Sequence, residues 1–151
     1  MRRKDREMTS EFAMEVVDKC EWATIAMVTP DKTPYCVPVT IARIGGFIYF
    51  HCAKDGQKID CLNSCDDVCV SCVGNTLRLE DEFSTKYESA IVFGKAVRVT
   101  DDNEKIAALR ELCLRHTPTN MKNFDEAIQK SLWRTDIWKV SIDSITGKSK
   151  R

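Results

Sequence analysis

Two periods alternate along the chain. From about Ser10 to Cys20 the apolar residues Phe12, Val16, Val17 and Cys20 fall on one stripe of a 3.6-residue repeat, which predicts a helix. Thr9 or Ser10 is placed to cap it, and Glu11 suits its positive N-terminal end. The period then drops to two. WATIAMV (22–28) and PYCVPVTIARI (34–44) read as strands joined by the turn TPDKT, and Gly45-Gly46 makes a tight hairpin into FIYFHC (47–52). Pro38 interrupts the second of these strands with a missing N–H, which suits an edge strand.

Past AKDG the helical period returns briefly, from about Gln57 to Cys65. VCVSCVG and the residues after it form a fourth strand, and YESAIVFGKAVRVT (87–100) a longer one. DDNEKIAALRELCLRH (101–116) is a helix with Asp101 or Asp102 as cap and Ile106, Leu109, Leu112 and Cys113 inward. A further helix is expected over about Asn123 to Trp133, then a last strand in DIWKVSIDSI (136–145). About six mostly antiparallel strands with peripheral helices predict a small β-barrel of the α+β class, in one domain spanning 1–151. The βαβ alternation and G-x-G-x-x-G of a doubly wound nucleotide fold are missing.

Composition narrows the function. Lys+Arg and Asp+Glu stand at 23 each, so the chain lacks the basic excess of a general nucleic-acid binder. The basic ends MRRKDRE and GKSKR read as solvated termini. The first has no apolar run behind it, so it is no secretory signal, and no stretch is long and apolar enough to span a membrane. Eight cysteines without an export signal point to a reducing cytoplasm.

Four of those cysteines crowd into CLNSCDDVCVSC (61–72), where Cys65, Cys69 and Cys72 show the C-x₃-C-x₂-C spacing of some iron–sulfur enzymes. The elements argue against a cluster. Cys61 and Cys65 fall on one face of the short helix, and an odd offset sends Cys69 and Cys72 to opposite faces of a strand. Metal ligands must converge, so the segment reads as core packing and no metal is expected.

FHCAKDGQKID (50–60) holds the more promising chemistry. A strand delivers His51, Asp55-Gly56 turns sharply, and Gln57-Lys58 opens a helix. Free N–H groups, the helix dipole and an ammonium can together seat a phosphate. By spacing alone the segment is more simply a surface turn with an exposed lysine. His116 reads as a residue favoured by a helix's negative end, and Trp22, Trp133 and Trp138 as packing residues.

In combination and in order, RRKDRE, PYCVPVTIA, IYFHCAKDGQKID, YESAIVFGKAVRV and ITGK are more specific. The chain resembles the FMN-binding split β-barrel proteins related to pyridoxamine 5′-phosphate oxidase, and within them the nitroimidazole-resistance branch. The resemblance rests on HxAxxGxK following PYxVPV and covers essentially the whole chain. It implies an antiparallel split barrel, a homodimer, and FMN in clefts between the subunits.

Carried onto this sequence, the resemblance makes Lys58 the main phosphate cation, with His51, Ala53 and Gly56 lining the approach. It puts Pro38, Val39 and Thr40 beside the flavin ring, where backbone groups meet its polar edge. Ser89 belongs to the same pocket, although Ala90 stands where the family pattern has Val. Trp138 and Lys148 lie in a matching C-terminal region, within reach of the cofactor from the partner subunit. No catalytic residue is assigned, His51 being the candidate.

The implied activity is an FMN-dependent oxidoreductase, passing electrons from a donor such as NAD(P)H to a small nitroaromatic or other electrophilic acceptor. The alternative is a flavin-binding carrier or redox-sensing module without turnover, since one fold serves many functions.

Overall fold

The computed structural model describes residues 2–150; Met1 and Arg151, the outermost residues of the two basic ends, lie outside it. The chain runs β1 (Glu7–Met8), α1 (Ser10–Lys19), β2 (Ala23–Val28), β3 (Pro34–Val39), β4 (Ala42–Ile44), β5 (Phe47–Cys52), α2 (Gln57–Ser64) and β6 (Asp67–Leu79). It continues through β7 (Ser84–Arg98), α3 (Asp102–His116), α4 (Phe124–Ser131), β8 (Asp136–Ser141) and β9 (Ser144–Lys150).

The strands form one antiparallel sheet in the order β3-β2-β6-β7-β8-β5-β4, and β9 lies between β7 and β1. The sheet curls without closing, an α+β split barrel with peripheral helices. It divides at β7, which pairs with β9 over Tyr87–Phe93 and with β8 over Ala96–Arg98. Gly94 makes that change of partner possible. A Cβ there would stand 1.6 Å from the carbonyl oxygen of Ser141, so only glycine lets the two backbones cross.

Alternation sets the two sides of the sheet. Val39, Ala23, Cys72, Ala90 and Gly147 form one buried row across β3, β2, β6, β7 and β9. These mostly small residues make a shallow channel for α1, whose Ala13, Val16 and Val17 are fully buried. The helix is capped as expected, with the Thr9 hydroxyl accepting from the Phe12 N–H at 3.2 Å. A second apolar cluster, Tyr49, Val99, Ala108 and Ile137, packs under α3.

Nine strands replace about six because two long strands bend. Thr40-Ile41 splits 34–44 into β3 and β4, and Ile142-Asp143 divides β8 from β9. β1 is a two-residue addition whose partners, Gly147 and Lys148, lie far along the chain. α2 ends at Ser64, and Cys65 is extended with φ −147°, so it does not share a helical face with Cys61. Cys69 and Cys72 do face opposite ways, Cys72 into the core and Cys69 outward. β3 is an edge strand, which accommodates Pro38. Among the described residues no helix is long and apolar enough to cross a membrane.

Candidate functional site

β5 ends at Cys52, and the loop 53–56 carries the chain into α2. Gly56 makes this entry at φ 114° and ψ 171°, a backbone region open essentially to glycine. It offers no side-chain cap, so the first N–H groups of α2 are left without a capping side chain. The helix therefore begins as an electropositive end, with Asp60 the one acidic residue of its first turn.

Lys58 stands in that first turn. Its Nζ lies 5.7 Å from the centre of the buried Phe50 ring, and among the described residues it makes no ion pair. A half-buried ammonium without a carboxylate has charge to offer a ligand. Its field is felt at Cys52 and His51. Burial is the larger influence on Cys52, pushing its thiol up to about 11. His51 is held below its ordinary value first by its crowded surroundings, then by the charges of Lys58 and His116. Each of these influences favours the neutral imidazole, and the residue itself is exposed.

His116, at the end of α3, is the residue that sequence reasoning missed. Its Nε2 lies 2.9 Å from the Ile41 carbonyl oxygen, which can only accept, so Nε2 carries the proton. This contact ties α3 to the bend after β3 and brings the Pro38–Thr40 end towards His51. The one local signal was its place in the last turn of a helix; its partner lies 75 residues away.

The remaining candidates divide between two places. Pro38 and Thr40 are exposed, whereas the Val39 side chain is buried in the core and only its backbone is available. Ser89 and Lys148 are direct partners across β7 and β9. Pro38 belongs to the row Pro38, Thr24, Ser71, Ile91 and Thr146, and Ser89 and Lys148 to the next row on the same outer face. No hydrogen bond or ion pair among the described residues links Lys58 or His51 to Ser89 or Lys148. Trp138 lies in the core, cross-strand from Phe50, and its indole N–H has no partner among the described residues.

A cavity of about 580 Å³ opens along α2, lined by Thr29, Asp31, Thr33, Gln57 and Asp60 among others. Its two carboxylates make it a poor seat for a phosphate, which leaves the Lys58–His51 side of the loop as the anion surface. Below that surface Asp136 is buried and paired with Arg98 at 2.5 Å, so its charge is answered within the sheet.

Comparison with known proteins agrees with this architecture. A *Bacteroides thetaiotaomicron* protein provisionally assigned to 5-nitroimidazole antibiotic resistance superposes with a TM-score of 0.79 at 23% identity, over 95% of this chain and 86% of its own. A *Mycobacterium smegmatis* FAD- and haem-binding protein gives 0.82 at 23%, over 97% and 74%. A *Mesorhizobium loti* FAD-binding protein gives 0.70 at 16%, over 97% and 98%. At these identities the likeness is one of fold. No curated protein sequence matches the chain. The family model for pyridoxamine 5′-phosphate oxidase matches residues 9–149, and the chain belongs to that family.

Proposed function

We propose that the chain is a flavoprotein that binds FMN between the subunits of a homodimer and acts as an oxidoreductase on small electron-poor compounds, nitroaromatics among them. The observation that carries the reading is Lys58, a cation that makes no ion pair among the described residues, beside the start of α2 without a side-chain cap and the exposed His51. That arrangement fits a terminal monophosphate. The family match supports a flavin, as do structural neighbours named for FAD binding, and the nitroimidazole-resistance neighbour supports the substrate class.

Bound there, the flavin supplies the electron transfer. Lys58, the α2 N–H groups and His51 hold its phosphate, with Ala53 and Gly56 leaving room for the chain behind it. Backbone groups of Pro38, Val39 and Thr40 orient the ring, and the fold keeps water from one side of it.

A second copy is the occupant proposed for the outer face of the sheet. Trp22, Val73 and Phe93 are each more than half exposed there, amid Ala26, Ser71, Ile91 and Thr146. Such a face is apolar in its middle, as the cores of homodimer interfaces are, with the Lys95–Asp67 ion pair and Lys148 also on it. It also carries Pro38, Ser89 and Lys148, which places them to complete the partner's site.

The test is the absorbance spectrum of the purified protein, with the released chromophore identified by mass and the dimer by light scattering. A yellow dimer that releases FMN and oxidises NAD(P)H with a nitroaromatic acceptor supports the reading. A colourless protein that does not quench added FMN overturns it. Flavin without turnover with any donor or acceptor would support instead the non-catalytic carrier or sensor.

A further inference from the structure

A cleft of about 610 Å³ lies where the loop before α2 meets the start of α3 and the end of α4. That is room for a small molecule or cofactor, whose sites run from about 300 to 1,000 Å³. Its lining combines two lysines, Lys54 and Lys105, one carboxylate, Asp102, and the ring of Trp133, with the apolar Ile128 and Leu132. None of these residues lies on the face proposed for the second copy.

Trp133 does not pack as its residue type suggests. It is 72% exposed, in the single turn Leu132–Arg134 that follows α4. The ring is nevertheless held by its edge, because the indole N–H donates to the Lys130 carbonyl oxygen at 3.0 Å. With its one polar atom satisfied, the ring has only its π surface to offer. A flat heterocyclic base is the ligand that surface suits.

The cations suit phosphate. The Lys105 side chain is only 16% exposed, and its ammonium stands 3.3 Å from Asp102, a side chain 72% exposed. That contact is longer than a tight charge-assisted bond of about 2.8 Å, so Asp102 holds the ammonium loosely. Lys54 makes no ion pair among the described residues. Two ammoniums thus meet one carboxylate, whereas the cavity along α2 has two carboxylates and no cation in its lining.

We propose that this cleft binds the adenosine diphosphate end of a dinucleotide, with adenine on Trp133 and the phosphates between Lys54 and Lys105. Asp102 can accept from the ribose hydroxyls. The seat for a base and a diphosphate rests on the cleft; their membership of a redox dinucleotide rests on the function proposed above. Lys54 precedes Lys58 by four residues, so the cleft adjoins the anion surface assigned to the flavin phosphate. Two molecules carry the required end: NAD(P)H as electron donor, or the flavin itself as FAD.

The test is calorimetric titration of the protein, stripped of any bound flavin, with ADP, adenosine and inorganic pyrophosphate. ADP should bind more tightly than either fragment. Trp133→Leu should weaken ADP and adenosine by roughly tenfold, the value of one base stack. Lys54→Ala should weaken ADP and pyrophosphate by about as much and leave adenosine unchanged. No binding of ADP, or an ADP affinity unchanged by either substitution, would overturn the proposal. Competition separates the two sources: displacement of ADP by FAD assigns the flavin, displacement by NADPH assigns the donor, and displacement by neither overturns the proposal. FMN binding without ADP binding would sink this inference alone, and ADP binding without flavin binding would sink the flavin reading alone.

Discussion

His116 and Ile41 meet at 2.9 Å, imidazole nitrogen to carbonyl oxygen, and so join the last residue of α3 to the bend that separates β3 from β4. Replacing His116 by alanine removes that hydrogen bond and one of the charges near His51. The expected cost is about 1 kcal/mol of stability. The more telling result is at His51, whose pKa should rise toward the ordinary 6.5 when its neighbour's charge is gone. Titration of His51 by NMR in the two proteins checks this; an unchanged value would show that the two rings do not interact.

Lys58→Ala should separate phosphate binding from fold. No ion pair is lost, so the melting temperature of the cofactor-free protein should hardly move. The affinity for FMN should fall by roughly tenfold to a hundredfold, the value of a charge-assisted hydrogen bond. Affinity for riboflavin, which has no phosphate, should stay the same. Fluorescence titration with both ligands makes the comparison, and equal losses would place Lys58 elsewhere than at the phosphate.

His51 gives the cofactor-free protein a sloping stability in mild acid. Its folded pKa lies below the 6.5 of the free group, so between the two values the unfolded chain binds more protons than the native one. Stability from this source is complete above 6.5 and is lost as pH falls from there toward the depressed native value. His51→Asn should flatten the corresponding part of a melting-temperature profile from pH 7.5 to 5. A bound phosphate should reverse the preference, drawing a proton onto His51, so FMN binding near neutrality should take up protons in two buffers of different ionisation enthalpy.

Gly94→Ala should be among the costliest small substitutions in the chain. The new methyl would meet the Ser141 carbonyl at 1.6 Å, and neither backbone can yield without breaking the β7–β8 ladder. A loss of about 4 kcal/mol or more is expected, in the range reserved for specific structural damage. Gly46→Ala, with nothing within 4 Å and an ordinary backbone, is the control, and should change stability by less than about 1 kcal/mol. Urea denaturation of both variants measures the contrast.

Local pattern carried much of this structure. The alternation in WATIAMV and FIYFHC, the stripe from Phe12 to Cys20 and the capped helix over 102–116 all became the elements they suggest, because each is stabilised by its own burial pattern. The loop from His51 to Lys58 was legible for the same reason: strand, glycine turn and helix start are consecutive. The bend at Thr40-Ile41 was not, since it is held by His116 from another element. Nor was the meeting of Arg115 with the Val17 and Cys20 carbonyls, which joins two distant segments. The cysteine-rich run misled by density; its thiols are parted by the end of α2 and by the pleat of β6.

The exchange of partners along β7 also fixes a mechanical property. His51 rides on β5, in the part of the sheet reached through β8, whereas Ser89 and Lys148 sit in the part reached through β9. Bending between these halves must pass through the crossing at Gly94, where the two backbones already touch. The crossing acts as a locked hinge pin: it sets the strand that carries His51 and the strands that carry Ser89 and Lys148 at one fixed angle within the chain.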